Sequence, residues 1–109
     1  MIKDDDVYLR QMLEAIETVL SYVNGIKFDD FERDQMLQDA VIRKIEIIGE
    51  AARRLSVGFV EDHADLPLVQ AVSIRNKLIH EYDDIDLKIV WDTVTVDLQK
   101  IKQDIKKLV

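Results

Sequence analysis

Cysteine is absent from these 109 residues. Its absence excludes a disulfide framework, a zinc–thiolate site and a cysteine nucleophile. Proline occurs once and glycine three times. So few breaks argue against a strand-and-turn protein and for long helices. No apolar run approaches the length of a membrane span. The N-terminal "MIKDDDVYLR" has no apolar signal core. Together these shortages point to the cytoplasm and away from a membrane partner. Positive charge is also scarce: 15 Lys and Arg face 22 Asp and Glu, for a net charge of −7. That balance aids solubility and weighs against general nucleic-acid binding, which needs basic surface.

The chain does hold enough apolar residues for a core. Hydrophobic residues make up 48% and charged residues 34% of the chain, a mixture that suits a soluble globular domain and excludes disorder. The length fits one domain over residues 1–109 with a single core. Charge is unevenly spread. "FDDFERDQMLQD" carries five acids and one base, whereas "RKIEIIGEAARR" carries four bases and two acids. A nucleic-acid partner would have to meet a local basic patch on an acidic molecule.

Hydrophobic periodicity predicts four helices. The first covers about Asp5 to Asn24, with Leu9, Met12, Leu13, Ile16, Val19, Leu20 and Val23 inward. Asp4 to Asp6 favour its N-terminus through capping and the helix dipole, and Gly25 stops it. The second runs from about Asp30, behind a capping-box spacing of Asp29 and Glu32, to Gly58. Leu37, Val41, Ile45, Ile48, Ala52 and Leu55 form its stripe, widened by Met36, Ala40, Ile47 and Ala51. So wide a stripe calls for two packing partners. Gly49 costs about 1 kcal/mol in mid-helix relative to alanine and suggests a close crossing. "FVEDHAD" reads as a polar link. The third helix starts near Asp65 to Pro67, carries Leu66, Val69, Val72 and Leu78 or Ile79 inward, and ends near His80. The fourth spans about Asp86 to Lys107, with Val90, Val94, Leu98, Ile101, Ile105 and Leu108 inward and "TVTV" as a strand-like blemish. The expected fold is an all-α, antiparallel four-helix bundle.

The chemistry concentrates in "IRNKLIHEYDD". On an ideal helix, at about 100° per residue, Asn76 and His80 share one face and Arg75 and Tyr82 share the next. Arg75 and His80 lie about 140° apart, so they converge only at a fraying helix end or across a symmetric interface. The residue types suit cleavage of RNA by its own 2′-hydroxyl. His80 titrates near neutrality and transfers protons. Arg75 offers a charged planar fork to phosphate oxygens. Asn76 holds a phosphate oxygen or orients His80, and Tyr82 stacks on a base or bonds a phosphate. This chemistry requires no metal and no cofactor. The plain alternative is structural: His80 beside a C-terminal dipole, and Arg75 paired with an acid on a neighbouring helix. Elsewhere, His63 reads as a solvated loop residue and Trp91 as core or interface. Arg43–Glu46 and Glu50–Arg54 read as surface pairs.

At "RNKLIHEY" the chain resembles the HepT-type toxins of the HEPN superfamily. Their motif is Arg, a polar residue, three variable residues and His, then a tyrosine two positions on. Arg75, Asn76, Lys77-Leu78-Ile79, His80 and Tyr82 match it. "AIETVLSYVNG", "DAVIRKIEIIGEAARRLS" and "IDLKIVWDTVTVDLQKI" resemble the family's first, second and fourth helices. Many relatives carry a tryptophan and a glycine shortly before the arginine; here that segment is "LPLVQAVSIRN". The resemblance implies a symmetric homodimer with two motifs facing each other. It also implies a metal-independent RNA endonuclease, with tRNA as a target class, acting as the toxin of a type VII toxin–antitoxin pair. Arg75 and His80 would be the catalytic pair and Asn76 a supporting polar residue. Tyr82 would receive AMP from a nucleotidyltransferase antitoxin, placing bulk and negative charge in the cationic groove. A reading of another class makes the chain a non-catalytic nucleotide-binding or docking subunit of the nucleotidyltransferase, and a third a purely structural dimer.

Overall fold

The computed structural model describes residues 3–68, 72, 73, 75, 76 and 85–109. Among the described residues every regular element is helical, as the shortage of glycine and proline predicts. Helix α1 is Lys3–Val23. Its predicted stripe is the buried one: Leu9, Met12, Ile16 and Val19 have no exposed surface. Each such side chain contributes about 1.5–3 kcal/mol by leaving water. The helix stops at Gly25, whose φ is +79°. A Cβ there would meet nothing within 4 Å, so glycine is needed for its backbone angle alone.

The predicted second helix is divided into three. A short α2, Phe28–Glu32, precedes α3, Gln35–Arg53, and α4, Val57–Asp62, follows. Side chains that compete for backbone groups make the divisions. The Asp30 carboxylate accepts from Lys27 N at 3.0 Å, and Asp34 accepts from Leu37 N at 3.1 Å to start α3. The buried Gln38 amide donates to the Phe31 and Glu32 carbonyls, closing the end of α2. Ser56 Oγ accepts from Phe59 N and starts α4. Gly58 therefore lies inside a helix and does not end one, and "FVEDHAD" is largely helical, with Phe59 buried. Met36 is 83% exposed and leaves the predicted stripe, whereas Val41, Ile45 and Ile48 are fully buried.

Asp5 has a larger role than a favourable charge in a first turn. It is 2% exposed and accepts from Ser56 N at 2.8 Å and from Ser56 Oγ at 2.7 Å. This clamp ties the start of α1 to the start of α4.

After α4, Leu66 and Leu68 are buried, and in the partly described segment that follows Val72 is half-buried. Val69, Leu78 and Ile79 lie outside the described residues. The last helical stretch comprises α5, Leu87–Asp92, a π-helical turn, Thr93–Asp97, and α6, Leu98–Lys106. Asp86 caps α5 by accepting from Lys88 N at 2.8 Å. The π turn falls on the "TVTV" blemish. Thr93 and Thr95 hydroxyls donate to the carbonyls four residues back, and Leu98 N donates to Thr93 O. The hydroxyls compete for carbonyls that the α-helical ladder would use, and the i→i+5 bond absorbs the mismatch. The inward stripe survives, with Val94, Leu98, Ile101 and Ile105 fully buried.

Helix α1 packs on α3 and α6, and α2 lies against α3 and α5. Phe31 joins α2 to α5 through Trp91, ring centroids 5.3 Å apart, with Phe28 on the edge of Trp91 at 6.1 Å. Among the described residues no helix is long and apolar enough to cross a membrane.

Candidate functional site

The basic stretch of α3 folds into one face. Arg43, then Glu46 and Ile47, then Glu50 and Ala51, then Arg54 recur at three- and four-residue spacings from turn to turn, so they form a stripe along the helix. With Gln11 of α1 and with Arg75 this stripe lines a cleft of about 330 Å³. The volume lies at the lower end of small-ligand sites. Three guanidinium groups face two carboxylates there, which makes the cleft locally cationic on a molecule of net charge −7.

Glu50 is its hub. Arg75 Nη2 lies 2.6 Å from Glu50 Oε2. On the other oxygen, Arg54 Nε donates at 3.2 Å and Arg53 Nη2 at 3.4 Å. The Arg75 contact is an ion pair without hydrogen-bond alignment, since Glu50 Oε2 and Arg75 Nε are both buried and make no hydrogen bond. Burial raises the Glu50 pKa, but the Arg53 hydrogen bond, the charges of Arg75 and Arg53, and the Arg54 hydrogen bond outweigh it, and the net shift is downward. Glu50 is thus a carboxylate at neutral pH. Arg54 is held more firmly in its charged form, first by hydrogen bonding to Tyr8 and then by Glu50.

Arg75 is 17% exposed at its side chain, so it is positioned as well as charged. Its Nη1 donates to Asn76 Oδ1 at 3.0 Å. The Asn76 oxygen therefore orients Arg75, which leaves the amide NH₂ for another partner. Among the described residues the buried Arg75 Nε has no partner, and a buried unpaired donor calls for one. The plain structural alternative for Arg75 is met in one respect, because it does pair with an acid on a neighbouring helix. It differs in another: the pair lines a cleft, where a planar guanidinium can grip an oxyanion.

Arg75 and Asn76 are therefore brought together, while His80 and Tyr82 lie outside the described residues. Trp91 is half-buried and packs against Phe28 and Phe31 at the edge of the core. His63 is not the solvated loop residue the sequence suggested. It is half-buried, its ring stacks on Phe59 at 4.1 Å, and Nδ1 lies 3.0 Å from the Phe59 carbonyl. The expected Arg43–Glu46 pair is present at 2.6 Å, as is Glu50–Arg54 at 3.2 Å. Arg43 and Glu46 are 65% and 38% exposed, so their pair contributes only about 0.2–0.5 kcal/mol. Sequence reasoning missed the third partner of Glu50. Helical spacing reports neighbours within one helix, and Arg75 arrives from another part of the chain.

A family model described as "Ribonuclease HepT-like" matches residues 12–108. A Thermococcus cleftensis protein named as a probable ribonuclease HepT is 39% identical over 93% of this chain and 92% of its own length. A Caldanaerobacter subterraneus protein named as a candidate RNase is 36% identical over 93% of this chain and 90% of its own. A Methanocaldococcus jannaschii protein, whose name joins gamma-glutamylcyclotransferase to a candidate RNase, is 41% identical over 99% of this chain. The chain spans about half, 49%, of that longer relative. No solved structure matches the chain significantly.

Proposed function

The chain belongs to the ribonuclease HepT-like family, and from that premise we propose that it is a metal-independent RNA endonuclease acting on RNA of the tRNA class. The observation that carries the reading is the placement of Arg75: charged, mostly buried, fixed by Glu50 and Asn76, and facing a cationic cleft. In this reading the strand's 2′-oxygen bonds to the adjacent phosphorus as its proton passes to a base. The phosphorus bond to the 5′-oxygen breaks, and an acid protonates that oxygen. The products are a 2′,3′-cyclic phosphate and a 5′-hydroxyl. His80 supplies the proton transfers. Arg75 stabilises the extra negative charge on the phosphorane-like transition state.

A homodimer of four-helix bundles with facing motifs gives two such histidines, one for each proton transfer. In the cytoplasm the chain then acts as the toxin of a type VII pair. Its nucleotidyltransferase antitoxin silences it by moving AMP from ATP onto the Tyr82 oxygen with release of pyrophosphate. The purified dimer, incubated with total tRNA, is expected to give discrete fragments, and Arg75→Ala and His80→Ala to give none while remaining dimeric. Uncut RNA from the folded parent, or equal cutting by both variants, overturns the reading. The net charge of −7 favours one alternative, a non-catalytic docking subunit attracted to a basic nucleotidyltransferase surface. Harmless expression of the chain alone, with no growth arrest, would support it.

A further inference from the structure

The cleft extends along α3 beyond the reach of a single phosphate. Glu50, the partner of Arg75, and Arg43 are seven residues apart on one face, about 10 Å along the axis. That is about three nucleotide steps at a stacked rise of about 3.4 Å, and fewer in an extended strand. Between them Ile47 gives the cleft wall an apolar patch beside Glu46. Arg43 lines the same cleft as Arg75, yet it is the more exposed of the two, at 65% against 17%. Among the described residues it pairs with Glu46, on the same helix. A pair of this kind is exchanged readily for a phosphate, because Arg43 keeps most of its water and the pair contributes little.

We propose that Arg43 is an accessory phosphate subsite, which holds a backbone phosphate one to three nucleotides from the bond that is cut while the intervening strand lies over Ile47. Glu46 is its counter-charge in the free protein and is released when the strand binds. The inference rests on the ribonuclease reading for the identity of the strand, and it makes that strand single-stranded and longer than a dinucleotide. It gives an acidic protein a route to RNA: three arginines line the cleft, whereas the molecule as a whole carries a net charge of −7.

The test uses 2′-O-methyl oligonucleotides, which lack the attacking hydroxyl and cannot be cut. Anisotropy titrations compare a dinucleotide with a hexanucleotide on the parent, Arg43→Gln and Glu46→Gln proteins at several salt concentrations. Cleavage of the matching all-ribose hexanucleotide is measured in parallel. For the hexanucleotide, Arg43→Gln is expected to lower the slope of log affinity against log salt by about 0.7. Between 50 and 200 mM salt its loss of affinity is then about 2.6-fold smaller than the parent's. Glu46→Gln is expected to tighten hexanucleotide binding, and neither change to alter dinucleotide binding. A merely structural role would weaken both variants together. An unchanged salt slope in Arg43→Gln, an equal loss on the dinucleotide, or weaker binding by Glu46→Gln overturns the subsite. If the binding pattern holds but the parent never cuts the ribose hexanucleotide or tRNA, the subsite stands and the ribonuclease reading falls.

Discussion

Replacing Glu50 with glutamine removes one negative charge from the centre of the cleft and keeps the side-chain shape. Two effects of opposite sign follow. Arg75, 2.6 Å from the Glu50 carboxylate, loses the anion that fixes one edge of its guanidinium; among the described residues only the Asn76 contact at 3.0 Å remains. A displacement of about 1 Å in a group that must meet a transition state costs about 100-fold in rate. Turnover should therefore fall by roughly that factor. At the same time Arg53, Arg54 and Arg75 lose their shared counter-ion, and the cleft becomes more attractive to RNA. KM should fall by about two- to five-fold, the scale of one screened surface interaction. Single-turnover and steady-state cleavage of one RNA substrate separate the two quantities. Glu50→Asp, which keeps the charge but withdraws it by one methylene, should recover part of kcat and return KM to the parent value. The pH dependence follows from the sign of the shift. The Glu50 pKa is lowered in the folded protein, so its ion pairs persist below the ordinary carboxylate range and are lost only as pH falls through that depressed value. The acid limb of the activity profile near neutrality should then be unchanged in Glu50→Gln and should belong to His80. Equal kcat in parent and Glu50→Gln, or a rise in KM with kcat unchanged, would refute the positioning argument.

The clamp at Asp5 should govern stability and leave chemistry alone: Asp5→Ala removes two charge-assisted hydrogen bonds at a 2% exposed site. It should lower unfolding free energy by about 2–4 kcal/mol in urea titrations. Ser56→Ala in the same background should add little, because the hydroxyl bond is already gone. Asp97 has its pKa raised, first by burial and then by the charge of Asp92, five residues back across the π turn. The folded state thus disfavours its charge at neutral pH, and Asp97→Asn should raise the melting temperature there. That gain should shrink as pH falls through the raised pKa and vanish below the unfolded value, where both states are protonated. Trp91 is the sole tryptophan and packs against Phe28 and Phe31. Its fluorescence should follow unfolding and remain unquenched by RNA; strong quenching on binding would place a base on it.

The parts of the fold that were legible are those in which a single helix carries its own signal. The α1 stripe, the stop at Gly25 and the inward row of the last helical stretch all follow from spacing and one backbone angle, and the structure contains them. The divisions at Asp34 and Ser56 were legible only in hindsight. A capping side chain and a mid-helix polar side chain look alike until tertiary packing offers the freed backbone groups a partner. Gln38 supplies that partner to α2 and Asp5 supplies it to Ser56. The same limit explains the site. "EAARR" gave Glu50 its local arginine, and "IRN" gave Arg75 its chemistry, but neither stretch encodes their meeting. One ion pair between them changes what each residue does. Without Arg75, Glu50 is a surface pair of small effect; without Glu50, Arg75 is a flexible cation. Held together at the wall of a cleft they form a cation fixed in orientation by Glu50 and Asn76. That is the form in which an arginine stabilises a transition state more than it binds a ground state. In the proposed reaction the orientation of Arg75 matters more than its charge, which is why the neutral, same-shaped Glu50→Gln is a more discriminating probe than removal of Arg75 itself.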